Sequence, residues 1–261
     1  MGSPGFDPAR TDLDATNLDP ANLDATNPDA TDLDAADLDA ANLDPADLTA
    51  ATGHERDRAD ASTTAAALSV RDVVVAGHQG VVGIIRRALG HPDPELRRTG
   101  LGAAARSGLL DEALLLEALT DADTGVRRRA VELAGRRPPS AALRARLLTA
   151  LDDEDEVAEM AAFSLGEWAE DTPGVAEALS RVARQHPDAL CREAAVAGLG
   201  AVGAGLAAIL DALARDRATV RRRAVLALAP FDGPEVDDAL QRALDDRDWQ
   251  VRQAAEDLLQ P

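Results

Sequence analysis

The chain has 261 residues, 46% of them hydrophobic, and a net charge of −20. That length suits one long domain or two small ones, and so acidic a chain is a poor electrostatic match to a phosphate backbone, which argues against nucleic acid as a partner. A single cysteine, Cys191, excludes an internal disulfide framework.

The acidity is concentrated at the start, where residues 1–53 hold twelve Asp against the single Arg10. Residues 11–50 repeat every five residues, centred on Leu13, Leu18, Leu23, Pro28, Leu33, Leu38, Leu43 and Leu48, each preceded by Asp or Asn. This tract resembles the pentapeptide-repeat family, and the resemblance implies a square right-handed β-helix. Eight pentapeptides make only about two coils, below the three or more units a stacked fold needs. The composition itself reads as an acidic, low-complexity, disordered tail. Both readings stand at this level for residues 1–53. Residues 54–68 read as a linker. Residues 69–80 form a segment placed to shield the first repeat, as the ends of a stack require. Its Val-rich run reads as helix or short strand.

From residue 81 to 261 one pattern recurs. An aliphatic or Cys marks the start of a helix at Leu96, Val126, Val157, Cys191, Val220 and Val251, at spacings of 30, 31, 34, 29 and 31. Gly100, Ala130, Ala161, Ala195, Ala224 and Ala255 follow four positions on, and Ala104, Ala134, Leu165, Leu199, Leu228 and Leu259 eight positions on. Positions 0, 4 and 8 share one helix face. The small residues at the fourth position are expected to admit close helix contact. A second amphipathic segment precedes each marker: Val81–Leu89, Leu109–Leu119, Ala141–Leu151, Val175–Val182, Leu206–Leu213 and Val236–Leu244. Short polar turns make each pair antiparallel. Two helices per period of about 31 residues predict an all-α fold, an α-solenoid of about six helix pairs.

The turn-and-helix phrase of Asp121–Gly135, repeated over residues 152–166 and 246–255, resembles HEAT repeats, of the compact type also found in bilin-lyase-like bacterial proteins. The resemblance implies a scaffold whose second helices line a concave face. It also implies a ladder between successive repeats, formed by Asp93, Asp123, Asp188 and Asp248 with Arg97, Arg127, Arg192, Arg221 and Arg252. The physics suits both residue types. Asp caps the free N–H groups of a helix start, and the Arg fork reaches a carboxylate and a carbonyl together.

Other arginines oppose the helix dipole in the first turns of the second helices. Arg98, Arg128, Arg129, Arg222 and Arg223 predict a basic strip on the concave face. Glu132 lies within it, and Glu159, Met160 and Phe163 interrupt it. An aromatic beside Arg has the composition of a binding hot spot. These nine residues are the candidate partner-binding set.

Catalytic constellations are missing. Gly198-Leu-Gly200-Ala-Val-Gly203 matches GxGxxG but closes a helix instead of following a strand. One HEAT class binds two irons through His-Glu pairs, and here the one such pair, His54-Glu55, falls in the linker. Cys191 at a marker position reads as an inert core thiol. The acidic turn of residues 152–156 lacks the glycine and spacing of a calcium loop. The expectation is a cytoplasmic, monomeric, non-enzymatic scaffold for another protein, with no catalytic residue, cofactor, metal or membrane contact. A bilin-lyase-like role and nucleic-acid binding are the alternatives.

Overall fold

A computed structural model describes residues 67–168 and 174–260. The pentapeptide-like tract, most of the linker and His54-Glu55 lie outside the described residues. The described residues form thirteen helices and no strand. Helix α1 (Val70–Gln79) precedes six antiparallel pairs. These are α2 (Val82–Leu89) with α3 (Pro94–Arg106), α4 (Glu112–Ala118) with α5 (Thr124–Gly135), and α6 (Ala141–Ala150) with α7 (Asp155–Gly166). Then come α8 (Val175–Gln185) with α9 (Ala189–Val202), α10 (Leu206–Arg215) with α11 (Ala218–Ala227), and α12 (Pro234–Ala243) with α13 (Trp249–Leu259). This is a HEAT- or armadillo-like solenoid.

Local chemistry sets the boundaries. The Val-rich run of α1 is helical because Ser69 and Asp72 form a capping box and Gly80, at φ 70°, ends it. Helix α4 starts later than residue 109 because Asp111 accepts the N–H of Leu114 at 2.8 Å and makes Glu112 the first helical residue.

The second helices form one continuous row: α1 packs on α3, and α3, α5, α7, α9, α11 and α13 follow in turn. The tightest contacts join small residues late in one helix to small residues of the next. A Cβ added at Gly77 would lie 2.8 Å from the Ala103 Cα. At Gly135 it would meet the Ser164 Cβ at 2.6 Å, at Gly166 the Gly198 Cα at 2.7 Å, and at Gly200 the Ala227 Cα at 2.7 Å. The close approach between repeats therefore lies near the helix C-termini and not at the fourth position. At that position Gly100 meets Ala88 within its own repeat. The first helices are less closely packed. Grooves of about 310, 380 and 430 Å³ open between α2 and α4, α8 and α10, and α10 and α12.

The turns carry a ladder, with a division of labour that the residue pattern alone did not separate. Asp93, Asp123, Asp188 and Asp248 cap the second helices, accepting backbone N–H groups at 2.8–3.3 Å. They do not face the ladder arginines of the preceding repeat. The bridging carboxylates are Asp121, Asp153, Asp216 and Asp246, four or five positions before each marker. Arg97 grips Asp121 with Nε and Nη2 at 2.8 and 2.7 Å, while its Nη1 donates to the carbonyls of His91 and Pro92. Arg127 to Asp153, Arg192 to Asp216 and Arg221 to Asp246 repeat this fork. Each guanidinium fastens its own turn to the next. The physical reason is direction. A caps-forming carboxylate points along its own helix axis, whereas a residue earlier in the turn can face the preceding repeat. Arg252 donates to the Asp246 carbonyl at 2.8 Å.

Candidate functional site

The second-helix face is built from the second, third and sixth positions after each marker. The fold puts these residues side by side on adjacent helices, so Arg98 and Gly102 of α3 precede Arg128, Arg129 and Glu132 of α5. Glu159, Met160 and Phe163 of α7 follow, then Glu193 and Ala197 of α9, and Arg222, Arg223 and Leu226 of α11.

Two of the five strip arginines, Arg129 and Arg223, are paired with acidic neighbours. Arg129 donates to Glu132 at 2.6 Å and lies across Gly102 of the preceding repeat. Glu132 also accepts from Arg136 at 2.8 Å. Arg223 reaches Glu193 at 3.4 Å, and Arg222 reaches Gln250 at 3.4 Å. Arg98 is exposed and Arg128 half-buried, and among the described residues neither forms an ion pair. Met160 is 8% exposed, so it leaves the set of surface candidates. Helix α7 has neighbours on both sides, α5 and α9, and the burial spreads from the marker face to Ala158, Met160 and Ala162.

Phe163 stays 50% exposed. At the same position after the marker, α9 carries Ala197 and α11 carries Leu226, which is 44% exposed. Two large apolar side chains thus flank a small one. Beside Leu226 an open groove of about 490 Å³ is lined by Ala197, Gly200, Ala201, Leu226 and Pro230, with Arg223 as its one charged wall. Residue reading missed Ala197 and Leu226. Their signal was the sixth position after the marker, which in repeats three to five holds Phe, Ala and Leu.

Three charged or nucleophilic groups are tuned by this packing. Burial raises the pKa of Glu159, helped by Asp188, Glu193 and Glu156 and opposed by Arg128. The thiol of Cys191 is fully buried and pushed up to about 12, first by burial and then by Asp188, Asp155 and Glu159. It is a protonated thiol and no nucleophile at neutral pH. In the ladder the Arg97 hydrogen bond holds Asp121 below the usual carboxylate range, and Arg127 does the same for Asp153 and Arg221 for Asp246.

The glycines of the apparent dinucleotide signature are all used by packing. Gly198 meets Gly166, Gly200 meets Ala227, and Gly203 ends α9 at φ 64°. No helix among the described residues is long and apolar enough to cross a membrane.

Similarity to known proteins agrees with this architecture. The X-ray structure of YibA from Escherichia coli superimposes with a TM-score of 0.56 at 17% identity, covering 74% of this chain and 75% of that one. A designed armadillo repeat protein, YIII(Dq)4CqI, matches with a TM-score of 0.47 at 18% identity, over 67% of this chain and 97% of its own. Human deoxyhypusine hydroxylase matches with a TM-score of 0.39 at 22% identity, over 73% of this chain and 77% of its own. No curated protein matches the chain. The family model described as HEAT repeats matches residues 112–200 and 176–260, more than half of the sequence. With its stacked helix pairs and the ladder in their turns, the chain belongs to the HEAT-repeat family.

Proposed function

We propose that this solenoid is a protein-binding scaffold that holds a segment of a partner protein along its second-helix face, with the apolar row of repeats three to five as the anchor. The observation that carries this reading is the exposure of Phe163 and Leu226, at 50% and 44%, with Ala197 and Leu226 lining an open groove of about 490 Å³. Apolar side chains flanking a small residue accept a partner's side chain and exclude water around it. The arginines act as a rim. Arg129 and Arg223 are taken up by Glu132 and Glu193, which lowers the positive charge offered to a nucleic-acid backbone.

The test compares two double variants of the full chain in capture from native extract, followed by titration of the captured protein. Phe163→Asp with Leu226→Asp removes the anchor and is expected to weaken binding by more than about thirtyfold, since one hot-spot residue is worth about 2 kcal/mol or more. Arg128→Glu with Arg222→Glu is expected to stay within about fivefold, as rim charges do. Circular dichroism must show both variants folded. Undiminished capture by the apolar variant would overturn the proposed face. Salt-sensitive binding of duplex DNA, lost in the arginine variant, would favour nucleic acid instead.

A further inference from the structure

One junction in the stack departs from the ladder. Between repeats three and four Ala158 stands where the arginine belongs, and His186 and Pro187 stand where the bridging carboxylate belongs. Both halves of the rung are missing together. In their place three donor side chains converge. A carboxylate oxygen of Asp155, a ring nitrogen of His186 and the Sγ of Cys191 all lie within 4.8 Å of one another.

We propose that Asp155, His186 and Cys191 form a binding site for a divalent metal ion of the zinc class, which joins repeats three and four where the arginine rung is absent. Thiolate, imidazole and carboxylate together are a donor set for zinc, with room for water as a fourth ligand. Bonds of about 2.0–2.3 Å place the donors of a tetrahedral zinc roughly 3.3–3.8 Å apart, so side-chain rotations of about 1 Å complete the site. The elements that carry the donors hold them in place. Asp155 opens α7, and Cys191 sits in the first turn of α9, where its thiol donates to the Asp155 carbonyl at 3.2 Å. The His186 ring is fixed by its Nδ1, which accepts the Asp188 N–H at 3.2 Å.

Comparison within the chain isolates what is special here. Repeat one has the same turn, His91-Pro92-Asp93, and the His91 Nδ1 accepts the Asp93 N–H at 3.0 Å. There the marker is Leu96, and no thiol faces the ring. Repeat four adds the thiol, and repeat three adds Asp155 opposite it. Charge points the same way. Asp155 and Glu159 form no ion pair among the described residues, while the arginines that reach this turn, Arg127 and Arg181, are taken up by Asp153 and Asp152. On binding, the Cys191 Sγ–H bond breaks, its proton leaves to solvent and the sulfur lone pair forms the metal bond. No electron is transferred. One dication with one thiolate and one carboxylate leaves the bound centre neutral.

Cobalt(II) titration of the full chain, stripped with chelator, tests the site. Cys191 is the sole cysteine, so a thiolate-to-cobalt charge-transfer band can come from this place alone. The acidic tail can hold divalent ions but cannot produce that band. The expected result is a band saturating at one equivalent, bleached by zinc, absent in Cys191→Ser and weakened at least about tenfold in His186→Ala. His91→Ala, the matched change in repeat one, is expected to leave the titration unchanged. It also controls for loss of the turn hydrogen bond, and circular dichroism before metal addition checks folding. No band in the wild-type chain, or equal affinity in His186→Ala and His91→Ala, would overturn the proposal.

Discussion

One of the two closest backbone approaches between repeats makes a quantitative prediction. In Gly166→Ala the new Cβ would stand 2.7 Å from the Gly198 Cα, against an ordinary carbon–carbon contact of about 3.5–4.0 Å. The obstacle is backbone and cannot rotate away, so α7 and α9 must separate by roughly 1 Å. Overpacking of this kind costs about 1–3 kcal/mol, and a backbone obstacle puts the cost near 3. Alanine recovers about 1 kcal/mol through helix propensity, for a net loss of about 2 kcal/mol. For a folded region of this size that lowers the melting temperature by roughly 4–8 °C. Gly83→Ala in α2 is the control. Its Cβ meets nothing within 4 Å, so only the chain-entropy gain remains, about 0.4–1 kcal/mol of stabilisation. Urea unfolding followed by circular dichroism measures both variants. If Gly166→Ala is as stable as the wild type or more so, the contact does not limit the approach of the helices, and the reasoning fails.

Arg127→Met strips Asp153 of its fork and two turn carbonyls of their donor, and is expected to cost about 1.5–3 kcal/mol in urea unfolding at pH 7. The folded-state pKa values of Asp121, Asp153 and Asp246 are lowered, so the ladder's contribution is complete above the unfolded value near ~4 and is lost as pH falls through the folded values. The gap between Arg127→Met and wild type is therefore expected to be constant from pH 7 to about 5 and to narrow below about 4 toward the share of the two carbonyl bonds; a gap undiminished at pH 2 would mean the Asp153 charge contributes nothing. Glu159 has the opposite sign: its folded pKa is raised, so its ionised form opposes folding at neutral pH, and Glu159→Gln is expected to raise the melting temperature at pH 7 and have no effect well below pH 4. Among the described residues Arg252 makes a carbonyl contact and no carboxylate fork, so Arg252→Met is expected to cost less than Arg127→Met in the same assay.

The residues of the site show how much could be read beforehand. Phe163 was visible because its position falls off the buried face of α7, and it is half-exposed. Met160 was misplaced because one helix in isolation has a single buried stripe, whereas a helix flanked by α5 and α9 has burial on three sides. The arginines were visible as charges. Their partners were not, because Glu193 lies thirty residues from Arg223 and only stacking brings them together. Asp155 and Cys191 lie 36 residues apart and are likewise brought together only by stacking.

What the sequence determined by itself is the local grammar: where each helix starts, which aspartate caps it, which face is apolar, and that two helices recur about every 31 residues. Those properties depend on neighbours three or four positions apart, within reach of a single turn. Only the tertiary structure decided the pairings across repeats. It assigned the ladder to Asp121, Asp153, Asp216 and Asp246 and not to the capping aspartates, placed the close contacts at Gly135, Gly166 and Gly200, and set Arg223 at the wall of an apolar groove. The physical reason is that a contact about thirty residues long in sequence is fixed by the angle and offset of two packed helices, which no single helix encodes.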